Sequence, residues 1–511
     1  MHKKQILIMS VAILGLAAGV VRAQSWTGGG GADRRWSNPA NWNTGVPAVG
    51  AIATLANSPL LDAPQAIDLN VNVSLDRLIC NSTGNRHYTI TTTNSSKITL
   101  TGGHDIYADA GTRTTALTIN CNIIAAPANL QVRRIGGTTT LNGNCGGAYL
   151  YAQYPGELVL TGSNNFNYVY MYGGEIFVKN PFALLFGFFQ TKVPTAGTPD
   201  GILSLASNAT IPGNLDAEYP LRLRLRDSGT NNVTLTVGGR CLSNRITIAP
   251  NAGTSTGRLT IRLLTPSSHL AEWTLATNST LIFANTTGNA NWGDAANGMI
   301  SGDGDVRIES GSATVVLYCT NDYTGGTVIH SGTLQPAGND RLPVAGDLTI
   351  AAAGKFYLNS TTQTVARLSG DGTLQFTFTA GSPVPGRLTV TEAFAPGAPV
   401  GTLVCTNKGT LVLGPACTSV FQLGALAGTS DRVALRSSNT GIALGGTLEV
   451  NAIGRLRGGD YTLFDLSGGP ITGSFSSIIM PPYYRGEIDT SSGDVVLKVK
   501  EPPAGTLLIV N

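Results

Sequence analysis

The stretch NDYTGGTVIHSGTLQ, residues 321–335, joins a polar turn, an aromatic, a glycine pair and two short β-prone runs. Its wider frame, TVVLYCTNDYTGGTVIHSGTLQ (314–335), can be laid over ELVLTGSNNFNYVYMYGGEIF (157–177). Leu160 then falls on Leu317, Asn164 and Asn165 on Asn321 and Asp322, and Phe166 on Tyr323; after a one-residue gap Gly174 falls on Gly332. A second phrase, SGDG, opens both SGDGDVRI (301–308) and SGDGTLQF (369–376). Each long frame reads as strand, polar turn, strand, glycine turn and short strand. A unit of about 20 residues cannot bury its own apolar side and becomes stable only by stacking on neighbours, so the repetition predicts a solenoid. In a parallel β-helix each rung adds about 4.8 Å to the axis. Glycines then serve corners where φ is positive, and turn Asn and Asp bond their own backbone.

The remaining chain fits an all-β protein. Runs such as RHYTITTT, SKITLTG, TALTINCNI, NVTLTVGG, GRLTIRLL and GDLTIAA alternate apolar with polar residues between Gly, Asn, Asp and Ser, which marks strands with one buried and one wet face. Nowhere after residue 23 do apolar residues keep helical spacing for three turns. At 511 residues the chain exceeds a single sandwich or barrel, which again favours a repeating architecture. Only 12% of residues are charged, and stacking explains why: like charges brought together in neighbouring rungs repel. A hydrophobic content of 42% is ample for a core and excludes disorder.

MHKK, the apolar run QILIMSVAILGLAAGVV and then Val21-Arg22-Ala23 have the charged start, apolar middle and small −3 and −1 residues of a secretory signal peptide, 1–23. Its removal takes Lys3, Lys4 and Arg22 and no acid, lowering Lys+Arg from 33 to 30 against 30 Asp+Glu. A mature charge of zero argues against nucleic acid as a partner, because such binding rests on neutralising phosphates. No later segment reaches the ~18 apolar residues of a membrane span. The expected product is exported, soluble or surface-associated. Seven cysteines (80, 121, 145, 241, 319, 405 and 417) include no C-x-x-C, so neither a zinc ribbon nor a thioredoxin-like motif is present. Most are expected as buried small hydrophobes. Cys405 and Cys417 are the pair that an oxidising compartment would bridge.

NDYTGGTVIHSGTLQ resembles the autotransporter-associated β-strand repeat, also called the passenger-associated transport repeat. The match is good at 312–335 and weaker at 156–177. The resemblance implies a right-handed parallel β-helix in a large exported bacterial surface protein. WTGGGGADRRWSNPANWNTGVP (26–47) resembles the Trp-rich opening that precedes such repeats. The segment 430–468, with GDVVLKV at 493–499, resembles the β-rich module that closes them. Two features depart from the family: no C-terminal translocator barrel is present, and VKEPPAGTLLIVN (499–511) lacks the apolar helix and basic end of a sorting anchor.

Three sets of residues qualify as candidate contacts. Tyr149 and Tyr151 alternate with Leu150, and Tyr168, Tyr170 and Tyr172 alternate with Val169 and Met171. Tyr149 to Tyr168 and Tyr151 to Tyr170 are both 19 residues, about one rung. The rings therefore stack in adjacent rungs, continued by Phe186, Phe188 and Phe189. They serve either as an outward stripe for sugar rings or as a cross-strand ladder that stabilises the sheet. In LRLRLRD (221–227) three leucines point one way and Arg222, Arg224 and Arg226 the other. With Arg245, Arg258 and Arg262 they form either a basic patch for acidic polysaccharide or a solvated face that protects an edge. Trp26, Trp36 and Trp42 are read as the packed interior of an N-terminal cap, in preference to a sugar-binding set.

No cofactor or metal site is expected. Histidines 87, 104, 269 and 330 are dispersed without H-x-x-x-H or H-E-x-x-H, G-x-S-x-G is absent, and Asp303 with Asp305 reads as a turn before a strand. The domain plan is a leader (1–23), a Trp-rich cap (24–70), a parallel β-helix of 15–20 rungs (71–419), a β-rich module (420–500) and a tail (501–511). The expected role is a structural or adhesin-like rod at the cell surface or outside the cell, with weak glycan or protein contacts and no catalysis. The alternative is a β-helical carbohydrate-active enzyme, a lyase or hydrolase. Convergence of three or more charged side chains in one groove across adjacent rungs would favour the enzyme.

Overall fold

The structure, a computed structural model, describes residues 23–501 except 57–64, 82–86, 110–115, 126–128, 136, 154–155, 181–184, 193–199, 243–244, 250–254, 267–268, 295–297, 377–384, 398–399 and 426–428. The leader before Ala23, the tail after Glu501 and the side chains of His104 and Phe186 lie outside the described residues. The protein is all-β, with 62% of it in strands. Among the described residues the one helical element is a 3-10 turn, Pro39–Asn41, and no helix is long and apolar enough to cross a membrane.

Among the described residues the strands form two sheets, one of 33 strands and one of 11. In the smaller sheet every neighbour pair is parallel, and successive strands begin at residues 65, 87, 116, 138, 157, 175, 201, 221, 245, 272 and 300. In this sheet the tightest rung, from 157 to 175, takes 18 residues, and the widest, from 87 to 116, takes 29. Between visits to the smaller sheet the chain runs along the larger one. Lys97–Asp109, for example, pairs through residues 97–100 with Asn122–Ala125 and through 105–109 with Asn129–Ile135. The result is a solenoid-like stack in which each strand lies over its counterpart one rung away.

Alternation along each strand sets what lies inside. In Leu221–Leu225 the three leucines are fully buried while Arg222 and Arg224 face outward. Val233–Val237 and Leu259–Leu263 repeat the same alternation in the larger sheet. The inward side chains of all rungs merge into one apolar cluster that runs from Trp26 to Val499. This sharing is what makes each short unit stable, because no rung covers both of its own edges.

The two copies of the repeated phrase share local chemistry but not position. Asn164 and Asn321 are both buried. Each donates to the carbonyl two residues back, of Gly162 and Cys319, and each accepts a backbone N–H from the rung before, of Cys145 and Ile300. Phe166 and Tyr323 are buried alike. However, Glu157–Leu160 belongs to the smaller sheet, whereas 314–317 belongs to the larger, so the second copy sits one wall out of step. In the SGDG copies, Gly302 and Gly370 have φ of +92° and +111°, and a Cβ on either would meet the carbonyl oxygen of Leu275 or Ile350 at 2.2 or 2.1 Å. Only glycine fits there.

Turn asparagines mostly bond the neighbouring rung, not their own turn as expected. Asn122 accepts from the N–H of Asn144, Asn144 from Ser163, Asn208 from Thr234 and Asn232 from Arg258, all at 2.8–2.9 Å. Stacking at about 4.8 Å brings that N–H as close as the local one. Asn38 and Asn94 do serve their own turns.

The two ends differ. At the N-terminal end Trp26, Trp36 and Trp42 pack edge to face with ring centroids 5.2 and 4.7 Å apart, and Trp42 donates its indole N–H to the Trp36 carbonyl. All three are at most 4% exposed, so they seal the stack and offer no ring to a sugar. At the other end parallel pairing continues across residue 420, from Thr418–Gly424 to Thr447–Ile453 to Ser477–Ile479. Val495–Lys500 then inserts antiparallel between Gly459–Leu466 and Arg485–Asp489.

All seven cysteines are buried free thiols, so the proposed Cys405–Cys417 bridge is not formed. Both side chains point into the shared core as apolar filler. Burial pushes the thiols of Cys80, Cys121, Cys145 and Cys405 up to about 12 and that of Cys417 to about 11, which leaves them inert.

Candidate functional site

The tyrosines lie on the outward face of the larger sheet. Cys145–Gln153 pairs with Asn164–Tyr172 so that Tyr149 opposes Tyr168 and Tyr151 opposes Tyr170, the 19-residue offset read from the sequence. Ring centroids are 5.0 and 5.1 Å apart across the rungs, with interplanar angles of 16° and 29°. The distance matches the rung spacing, so the rings cover one another's faces. Tyr172 extends the array by stacking on Tyr151 at 6.4 Å. Phe188 continues the column at 5.7 Å from Tyr168, tilted by 57°, but Phe189 turns into the core. The Lys192 ammonium closes the far side, 5.4 Å from the Tyr170 centroid. What the array offers outward is therefore ring edges and phenol hydroxyls, for which no described side chain is a hydrogen-bond partner. Burial, with the neighbouring tyrosines, raises the hydroxyls of Tyr151 and Tyr170 above their ordinary range.

Beyond the rings the same face becomes polar. Gln190 opposes Tyr170 on one side and Asp216 on the other. Its amide N–H donates to Asp216 at 2.9 Å and to Glu218, and Lys192 pairs with Glu218 at 3.0 Å.

Arg222, Arg224 and Arg226 project from the smaller sheet, and each is matched. Arg222 pairs with Asp200 at 2.8 Å. Arg224 donates to Glu175 at 2.7 Å and to the Ser204 hydroxyl at 2.9 Å. Arg226 bridges Glu157 and Glu175 and lies 4.5 Å over the Phe177 ring. Thr138 donates to the other oxygen of Glu157. Burial works against ionisation of Glu175, but its bonds from Ser204, Arg224 and Arg226 outweigh it and hold the carboxyl below its ordinary value. Arg245, Arg258 and Arg262 are likewise paired, with Glu272, Asp305 and Glu309. The basic patch is thus corrected to an ion-pair network: carboxylates one to three rungs earlier neutralise Arg222, Arg224 and Arg226, and carboxylates one to two rungs later neutralise Arg245, Arg258 and Arg262.

Beside this network lies a groove of about 380 Å³, whose lining includes Gly137, Gly156 and Gly174 together with Glu157, Glu175 and Asp200. The acids went unnoticed in the sequence. Their signal was the recurrence of Gly-Glu at 156–157 and 174–175, at the starts of consecutive strands. A second cavity, about 570 Å³, lies between Thr402, Arg432 and Asp460. On its wall Asp431 accepts backbone N–H bonds from Gly401 and Gln422, and burial nonetheless pushes its carboxyl up to about 6.

Asp303 accepts from Thr324 at 3.0 Å and Asp305 holds Arg258, so the GDGD acids stabilise a turn and an ion pair. Among the described residues no cluster of three or more His, Cys, Asp or Glu could hold a metal ion. His269 is buried and stacks on Trp292 at 5.3 Å. No family model matches the chain, and a search of curated proteins finds no matching relative.

Proposed function

We propose that this chain is an exported rod, a right-handed parallel β-helix of the autotransporter-associated repeat type, with a structural or adhesive role at the cell surface or outside the cell. Its tyrosine face makes the contacts, to polysaccharide or other cell-surface components. The observation that carries this reading is the strand-over-strand parallel stacking around one apolar interior, with the arginines of the smaller sheet matched by its own acids. Such a stack is stiff and chemically quiet, and the tyrosine array adds outward hydroxyls that no described side chain bonds. Because the ring faces are occupied by neighbouring rings, ligand contact runs through hydroxyls and ring edges, not through face stacking.

The enzyme alternative draws on one observation, the carboxylates of Glu157, Glu175 and Asp200 along a single groove. Against it, Arg226 bridges Glu157 and Glu175. Acid–base work at a glycosidic bond needs one carboxyl held protonated and the other free to act.

Both readings are separable by passing the purified chain over an array of neutral and acidic polysaccharides while scoring released sugar. Retention without release is expected. The Tyr149, Tyr151, Tyr168 and Tyr170 to Ala variant should lose retention at least tenfold while remaining folded. Unchanged retention with a lowered melting temperature would reduce the tyrosines to a stabilising ladder, and released sugar would favour the enzyme.

A further inference from the structure

The stack is sealed at one end and incompletely covered at the other. Whereas the tryptophan end buries its three rings, residues 467–494 contain no buried residue although they form three strands. Ile471, Phe475, Ile478 and Met480 pack against the core and are only half covered. Ile453, Ile479 and Tyr483 are 41%, 53% and 61% exposed, together at this end. Tyr483 holds a φ of +72°, a conformation that bulky residues rarely adopt. Strands Ile471–Gly473 and Ser477–Ile479 each pair on one side only among the described residues, leaving a row of backbone donors and acceptors free. Apolar surface and open strand edges in one place mark an interface, because an isolated chain would aggregate through them.

We propose that this end docks a second copy of the chain across a two-fold axis. Such an axis presents the exposed edge of Ser477–Ile479 to its own copy in antiparallel register, which satisfies both edges at once. The rim carries both signs, as self-docking requires. Arg455 sits 3.8 Å from Glu501 and Lys500 3.8 Å from Glu487, with Arg455 83% exposed and the Lys500–Glu487 pair more than 70% exposed on both sides, so these loose pairs can exchange partners with the copy. The sealed tryptophan end closes the assembly at two and prevents a filament. The product is a rod of twice the length, with a tryptophan seal at each tip.

The test is the mass of the full-length protein in sedimentation or light scattering across micromolar concentrations. A dimer is expected. Ile479→Lys and Tyr483→Lys, both at exposed positions, should each weaken it at least tenfold, while Ile124→Lys, at an exposed position in the early rungs far from this end, leaves it intact. A monomer at every concentration overturns the proposal, as does a dimer that neither end variant weakens. If a chain stopped after Glu501 dimerises where the full chain does not, residues 502–511 are the occupant of this end and the second copy is excluded.

Discussion

His269 sets both ring nitrogens to structural use: Nδ1 accepts the Cys241 N–H at 3.1 Å, so Nε2 carries the proton and faces the Thr265 carbonyl at 3.3 Å. Burial lowers its pKa to about 4. The unfolded chain takes up a proton below about pH 6.5 that the fold refuses, so the His269 contribution is whole above that pH and is lost as pH falls toward 4. Asp431 has the opposite sign. Its raised carboxyl gives a contribution that is whole below the ordinary carboxylate range and lost as pH rises through about 6. The two nearly cancel across one window. Asp431→Asn should therefore uncover the histidine: from pH 4 to 6.5 melting curves should show stability rising by about 3 kcal/mol more in the variant than in the unaltered protein. At this scale the sequence was partly legible. Asn164 and Asn321 could be equated because both precede an aromatic by two residues in a recurring frame, whereas Asp431 stands in no recurring frame: it bonds Gln422 nine residues before it and Gly401 thirty residues before it.

An element-scale reading of LRLRLRD succeeds for its leucines and fails for its arginines. Alternation is a property of one strand, so the buried face can be read directly. Charge balance belongs to the sheet: Arg222, Arg224 and Arg226 meet acids 22, 49 and 69 residues earlier, and no local window contains both partners. The tyrosines were legible for the converse reason, since their partners share one offset that equals the rung. The network makes a graded prediction. Glu175 is the hub, with a side chain 15% exposed, so Glu175→Gln should leave Arg224 without a carboxylate and Arg226 with Glu157 alone, lowering stability by about 2 kcal/mol. Asp347→Asn breaks an open pair with Arg367, at 57% and 48% exposure, and should change stability by no more than about 0.5 kcal/mol. Equal effects in denaturant melts would mean that the network carries no weight.

Across the whole molecule, the all-β class, the parallel stacking and the tryptophan seal followed from short recurring phrases, while rung length did not. The expectation of about 20 residues holds from 138 to 175, from 201 to 221 and from 306 to 367, and falls short in the wider rungs, because corners absorb extra residues between strands that still stack. The incompletely covered end was also hidden, since 471–488 alternates much as buried strands do. Stability in such a stack is a sum over neighbours, and this gives damage a location. Trp36→Ala should remove about 3 kcal/mol or more from the seal. Amide hydrogen exchange should then quicken in residues 23–81 and stay unchanged in 432–500; uniform quickening would mean that the stack melts as a single block. The strands lie across the long axis, with the described chain entering at one tip and leaving near the other. Under tension applied at those tips, the hydrogen bonds would yield in sequence like a zip, not all together in shear. Each yielding rung of 18–31 residues would lengthen the tether by roughly 60–110 Å, making the molecule a dissipative spring.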